Sequence, residues 1–164
     1  MNKIAIYPGT FDPITYGHVD IIQRAAAIFD RVIVAVATNS QKRPLFTVAE
    51  RMDMIRHVVG DIPHLEIDQI EGLLVDYAVE RGAHAVIRGL RAVSDFEFEL
   101  QMALVNRKLN EKLITVFLMP HEKYSYLNSS IVKELAQFGG NIECFVPKYV
   151  QEKIKEKMRN HERH

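Results

Sequence analysis

Residues 3–29 read KIAIYPGTFDPITYGHVDIIQRAAAIF, and this stretch decides the fold. A short apolar strand, Lys3 to Tyr7, runs into a turn marked by Pro8 and Gly9, and an apolar-periodic helix follows from His18 to Phe29. A strand, a turn and a helix start in that order make a phosphate site, because the unpaired backbone donors of a helix N-terminus carry about half a positive charge. Gly9 and Gly17 are expected to let a bulky anion approach the main chain, and His18 adds a side chain able to donate to it. Neither GxGxxG nor GxxxxGKS/T follows Tyr7, so a dinucleotide fingerprint and a P-loop both fit poorly.

Outward from this unit, apolar runs and helical patterns alternate to the end of the chain. Strands are predicted at Val32 to Ala37, Leu65 to Gln69, Ala85 to Ile87 and Ile114 to Leu118, and helices at Val48 to Val59, Leu73 to Arg81, Asp95 to Leu109 and Ser130 to Phe138. An extended piece at Glu143 to Val146 and a final helix at Tyr149 to Arg159 complete the reading. Thr47 with Glu50, and Ser94 with Glu97, have capping-box spacing, and Gly139-Gly140 stops the helix before it. This alternation predicts an α/β, single-domain, Rossmann-like fold: a five-stranded parallel sheet with helices on both faces. Residues 1–164 are read as one domain, with a C-terminal helix at about 149–159.

Composition narrows the function. The 164 residues carry 21 basic and 21 acidic side chains, so no global positive field points to nucleic acid or an anionic membrane surface as partner. Cys144 is the single cysteine, which excludes an intrachain disulfide and fits a reducing cytosol. The histidines show no metal-ligand spacing, and no apolar run approaches the length of a membrane span. A soluble, cytoplasmic protein is expected.

Ligands of open parallel sheets bind beyond the carboxyl ends of the strands. Pro8 to His18, Thr38 to Phe46, Arg88 to Arg91 and Pro120 to Ser130 all fall on that rim. Arg88 ends a buried strand and needs a partner, either a structural carboxylate or a ligand phosphate. Gly89, Leu90 and Arg91 add open backbone and a second guanidinium, whose planar fork suits phosphate oxygens. Ser129 and Ser130 place hydroxyls and amides at a helix start, where anion binding and N-capping are both open readings. Leu73, Leu74 and Met102 read first as core positions at helical spacing.

Thr15-Tyr16-Gly17-His18 resembles the (H/T)xGH signature of the nucleotidyltransferase superfamily, and Tyr7 to His18 as a whole resembles the bacterial phosphopantetheine adenylyltransferase family. Ile87-Arg88-Gly89-Leu90-Arg91 with Asp95-Phe96-Glu97, and Asn128-Ser129-Ser130-Ile131-Val132-Lys133-Glu134, agree in order along the chain. The resemblance implies transfer of the adenylyl group of ATP to 4′-phosphopantetheine, giving 3′-dephospho-coenzyme A and pyrophosphate. It implies catalytic roles for Thr10, His18, Lys42, Arg88 and Arg91, with His18 holding the α-phosphate and these cations neutralising charge together with Mg²⁺.

By the same resemblance, ATP would meet Thr10, Phe11, His18, Gly89, Leu90, Arg91, Glu99 and the segment Tyr124, Ser125, Tyr126, Leu127, Asn128, Ser129, Ser130. The acceptor would meet Thr10, Lys42, Leu74 and Arg88, and no protein side chain is assigned to the metal. Feedback by coenzyme A and a homohexamer are further implications. A relative using another phosphorylated acceptor, such as nicotinamide mononucleotide or glycerol phosphate, and a noncatalytic adenine-nucleotide sensor are the alternatives.

Overall fold

A computed structural model describes residues 1–38 and 43–163, with the backbone alone at Val93 and Ser94. The chain runs β1 (Ile4–Gly9), α1 (Tyr16–Ile28), β2 (Arg31–Ala37), α2 (Val48–Val59), β3 (Leu65–Ile70), α3 (Leu74–Glu80), β4 (Ala85–Gly89), α4 (Val93–Leu109), β5 (Ile114–Leu118), a 3-10 turn at Glu122–Tyr124, α5 (Ser129–Gln137) and α6 (Lys148–His161). The strands form one five-stranded sheet in the order β3-β2-β1-β4-β5, every pairing parallel, as the alternation predicts.

Alternate residues of the central strands feed two apolar layers, since side chains of a strand point to opposite faces. Ala5, Tyr7, Val32, Val34, Val36 and Ile87 pack beneath α1, α2, α5 and α6. Ile6, Ile33, Ala35 and Val86 pack with Val75, Tyr77 and Ala78 of α3. The strands are therefore apolar along their length rather than alternating, as burial on both faces requires.

The cleft has its origin in the sheet. β1 pairs with β2 along its whole length, Ile4↔Arg31 to Gly9↔Val36, but with β4 only at Ala5↔Ala85 and Ile6↔Val86. Beyond Ile6 the two strands part, and Pro8, lacking an N–H, could not donate to a ladder there. Its carbonyl instead accepts from Arg88 Nη1 at 3.2 Å. This is where the strand order reverses, the switch point at which such sheets bind ligands.

Several expectations are corrected. The Thr47–Glu50 capping box exists with both of its hydrogen bonds, but α4 begins at Val93 with Ala92 as its N-cap, so Ser94 lies inside the helix. Glu143 to Val146 is a turn: the Phe145 and Val146 amides bond back to the Ile142 carbonyl, and the Phe145 carbonyl accepts from Tyr16 N at the start of α1. Leu73, the N-cap of α3, is exposed, and so is Met102, on a side of α4 where Phe98, Val105 and Leu109 also face outward and which no layer among the described residues covers. Gly139 behaves as expected, following the end of α5 with φ of 71°.

Candidate active site

The β1–α1 turn fixes its histidine through the backbone. Thr15 is the N-cap of α1, and His18 occupies the position where a capping box ordinarily has Glu or Gln. The Thr15 amide donates to His18 Nδ1 at 3.0 Å, and the His18 amide donates to Thr15 Oγ1 at 3.4 Å. Because Nδ1 accepts from an amide, the ring proton sits on Nε2, leaving Nε2–H as the free donor. Burial, and then the charges of Arg91 and Arg88, lower the His18 pKa to about 4. His18 is consequently a neutral donor at pH 7, which corrects the expectation that it contributes positive charge.

Phe11, on the same turn, is buried with φ of 49°, a left-handed conformation costing about 1–2 kcal/mol for a non-glycine residue. Its ring is gripped edge-on by Tyr7 at 5.3 Å and by His18 at 5.0 Å. A Cβ on Gly9 would stand 2.9 Å from that ring, so Gly9 makes room for Phe11 rather than for an anion.

Residues that the sequence reading left unassigned brace this turn from behind. Asp12, buried, accepts from the amides of Leu45 and Phe46 at 2.9 Å and from Lys133 Nζ at 2.9 Å. Arg51, 1% exposed, donates to the carbonyls of Phe46 (3.1 Å), Thr10 (2.7 Å) and Ala37 (3.0 Å). Burial lowers its pKa, with the charge of Asp12 opposing. The sequence did carry a signal for it: Arg51 shares the face of Met54 and Ile55, where an apolar residue belongs.

The facing bank is built from the end of β4. Glu99 accepts from Arg88 Nε at 2.8 Å and Nη2 at 2.7 Å. Burial works against the Arg88 charge, and Glu99 outweighs it, holding the guanidinium above its ordinary pKa. With Pro8 taking one Nη1–H, one hydrogen on each of Nη1 and Nη2 remains for a ligand. Arg91 donates through Nε to Asp95 at 3.1 Å and through Nη1 to the Leu127 carbonyl at 3.0 Å, and Nη2 has no partner among the described residues. Glu99, expected on the ATP side, is in this structure the partner of Arg88.

At α5, Asn128 is the N-cap and accepts from Ile131 N at 2.8 Å, and Ser129 Oγ donates to the Pro13 carbonyl at 2.7 Å. The amides of Ser129 and Ser130 are among those no helix can satisfy internally. The side chains of Asn128 and Ser129 are thus structural, as the N-capping reading has it, and the first amides of α5 face no partner within the helix.

Together these banks enclose a cleft of about 580 Å³ lined by Thr10, Phe11, His18, Arg88, Gly89, Arg91, Glu99, Leu127, Asn128, Ser129 and Ser130 among the expected residues. Leu90, Leu74, Tyr124, Ser125 and Tyr126 do not line it. Tyr124 stacks on Tyr16 and Tyr126 meets Phe145 edge-on, while Leu74 packs against the second apolar layer. Lys42 lies outside the described residues. No cluster of three His, Cys, Asp or Glu side chains suited to a metal occurs among the described residues.

The Cytidylyltransferase-like family pattern matches residues 6–135. Phosphopantetheine adenylyltransferase of Caldanaerobacter subterraneus subsp. tengcongensis is 57% identical over 96% of this chain and 98% of its own. The proteins of that name from Alkaliphilus metalliredigens and Dictyoglomus turgidum are 55% and 57% identical, each over 94% of this chain and 99% and 97% of their own. Among solved structures, a Vibrio parahaemolyticus protein given the name nicotinate-nucleotide adenylyltransferase superposes with a TM-score of 0.69 at 18% identity, over 98% of this chain and 93% of its own. A lipopolysaccharide core biosynthesis protein from Thermoplasma volcanium superposes with a TM-score of 0.57 at 20% identity, over 73% of this chain and 98% of its own. These two likenesses establish the fold. On its identity to the curated relatives, the chain belongs to the phosphopantetheine adenylyltransferase family.

Proposed function

We propose that this chain transfers the adenylyl group of ATP to 4′-phosphopantetheine, releasing pyrophosphate and forming 3′-dephospho-coenzyme A. The observation that carries the reading is the meeting, in one cleft, of a neutral Nε2–H donor on His18, open N–H groups on Arg88 and Arg91, and the N-terminus of α5. An acceptor phosphate oxygen attacks the α-phosphorus, and the bond from that phosphorus to the bridging oxygen of pyrophosphate breaks. The nucleophile is already anionic at neutral pH, so no general base is needed.

His18 Nε2–H donates to an α-phosphate oxygen as phosphorus becomes five-coordinate, Arg88 orients the acceptor phosphate, and Arg91 with the Ser129 and Ser130 amides holds the nucleotide phosphates. Thr10 sits where both phosphates converge, its carbonyl fixed by Arg51. Lys42 adds a second cation to the acceptor side.

The carboxylates lining the cleft are all engaged: Asp12 by two amides and Lys133, Asp95 by Arg91, Glu99 by Arg88. That donor set suits Mg²⁺ carried by phosphate oxygens and water, with Arg91 and Ser130 holding the phosphates that bear it. Bound there, the ion supplies neutralisation of charge on the leaving pyrophosphate.

A cytoplasmic setting, feedback by coenzyme A in the same cleft, and a homohexamer complete the proposal. The exposed apolar face of α4 formed by Phe98, Met102, Val105 and Leu109 supports assembly, and Met102→Glu should lower the sedimenting mass. Mixing the protein with ATP, Mg²⁺ and 4′-phosphopantetheine, then with nicotinamide mononucleotide or glycerol phosphate, tests the reaction. Dephospho-coenzyme A with equimolar pyrophosphate is expected from the first mixture alone. Product from another acceptor only, or nucleotide binding without pyrophosphate release, would overturn it.

A further inference from the structure

Tyr7 stands on β1 where that strand leaves β4, with its ring in the layer beneath α1. It is 6% exposed and lines the cleft. Among the described residues nothing hydrogen-bonds to its hydroxyl, yet no fully enclosed side-chain polar atom there lacks a partner. The hydroxyl therefore opens on the cleft.

Its position is well defined. The oxygen lies 3.9 Å from the point where a Cβ on Gly89 would stand, and the absence of that Cβ leaves the hydroxyl uncovered at the strand end. The ring meets Phe11 edge-on, and Phe11 meets the His18 ring edge-on in turn, so Tyr7 and the His18 imidazole share one neighbour on a strained turn.

With no partner among the described residues, a hydroxyl on so nearly buried a residue gives up part of its hydration, which phenylalanine in the same space would not, and a ligand oxygen would offset that loss. Burial raises the phenol pKa above its ordinary value, with Arg88 and Arg91 opposing only in part, so the group stays protonated and can donate. Arg88 and Arg91 act on it from nearby, and Glu99, which also does, is already held by Arg88, so the group it is placed to meet is an anion.

The geometry points to Tyr7 as a further substrate-contacting residue, its hydroxyl donating to a phosphate oxygen of the nucleotide beside His18. This rests on the adenylyl-transfer reading for the identity of the anion. The contact adds a second neutral donor that, like His18, keeps its proton throughout the neutral range.

Tyr7→Phe removes the oxygen and keeps the ring, so it isolates the contact. ATP binding measured by calorimetry should weaken by about tenfold or more, and kcat/KM for ATP should fall by about 10- to 100-fold, the range for one hydrogen bond to a charged acceptor. The KM for the acceptor should stay within about twofold, and the melting temperature should hold or rise because an uncovered hydroxyl has been removed. ATP affinity and turnover both within about twofold of wild type would overturn the proposal, as would a change confined to the acceptor KM. Should the wild-type protein make no product from this acceptor, the reaction assigned above falls, while the ATP titration of Tyr7→Phe still decides the contact.

Discussion

On the β1–α1 side of the cleft, His18 and Asp12 are held largely by backbone groups, whereas on the β4–α4 side Arg88 and Arg91 are held largely by the carboxylates Glu99 and Asp95. Backbone-held groups are fixed before any ligand arrives, because moving them means unmaking a helix start or a turn. Ion-paired arginines keep spare N–H groups and can share them with an incoming anion without losing their first partner. One side is suited to the charge that develops during reaction, the other to capturing charge already present.

The largest effect expected from breaking this asymmetry lies in Arg51. Arg51→Ala would strand one buried and two partly buried carbonyls, and loss of a buried cation of this kind costs on the order of 3–5 kcal/mol. Chemical denaturation should register a loss of that size. A change under about 1 kcal/mol would mean that the carbonyls find water, and the turn would not be rigid in the sense argued.

His18→Ala comes next. Removing a donor that acts chiefly in the transition state should lower kcat by about 10²–10³-fold while ATP affinity stays within a few-fold. Equal losses in affinity and turnover would make His18 a ground-state contact and erase the contrast between the two sides.

The contrast also explains what could be read from sequence. Strands β1 to β5, the Thr47–Glu50 box and the start of α1 announce themselves within short windows: apolar runs, fixed spacings, one glycine-flanked histidine. The arrangement of His18 was hidden by chemistry, since a histidine completes a box where Glu or Gln is expected. Ser94 and Glu97 had the right spacing, but the helix starts two residues earlier than their box needs. Arg51 binds Thr10 across 41 positions and Lys133 binds Asp12 across 121, and no local pattern encodes such partners. Leu73 and Met102 look like core residues because apolar character says only that a position is covered, and among the described residues nothing covers either of them.

The ion-paired side should respond more mildly. Glu99→Gln leaves Arg88 partly buried without its counter-charge, and a cost of about 1–3 kcal/mol in stability is expected. Arg88→Lys should raise the acceptor KM by about tenfold, because a point charge cannot hold Glu99 side-on and a phosphate together. The two changes share one interaction, so the double variant should be less impaired than the sum of the singles. Strict additivity would show that Glu99 and Arg88 do not act as a pair.

The smallest effect expected is that of pH on the His18 donor. Its pKa in the folded protein, about 4, lies below the ordinary histidine value near 6.5, so the unfolded chain takes up a proton first as the solution is acidified. The contribution of His18 to stability is therefore complete above about pH 6.5, declines between there and about pH 4, and changes no further below. Through the neutral range the imidazole stays neutral with its proton on Nε2, so turnover should show no step from His18 between about pH 6 and 8. Comparing the pH dependence of kcat with that of thermal stability for wild type and His18→Ala separates the two effects. A histidine-like step in wild-type kcat near neutral pH, absent from the variant, would mean that the imidazolium is the working form. The backbone-held side would then depend on charge after all, and its difference from the arginine side would be one of degree.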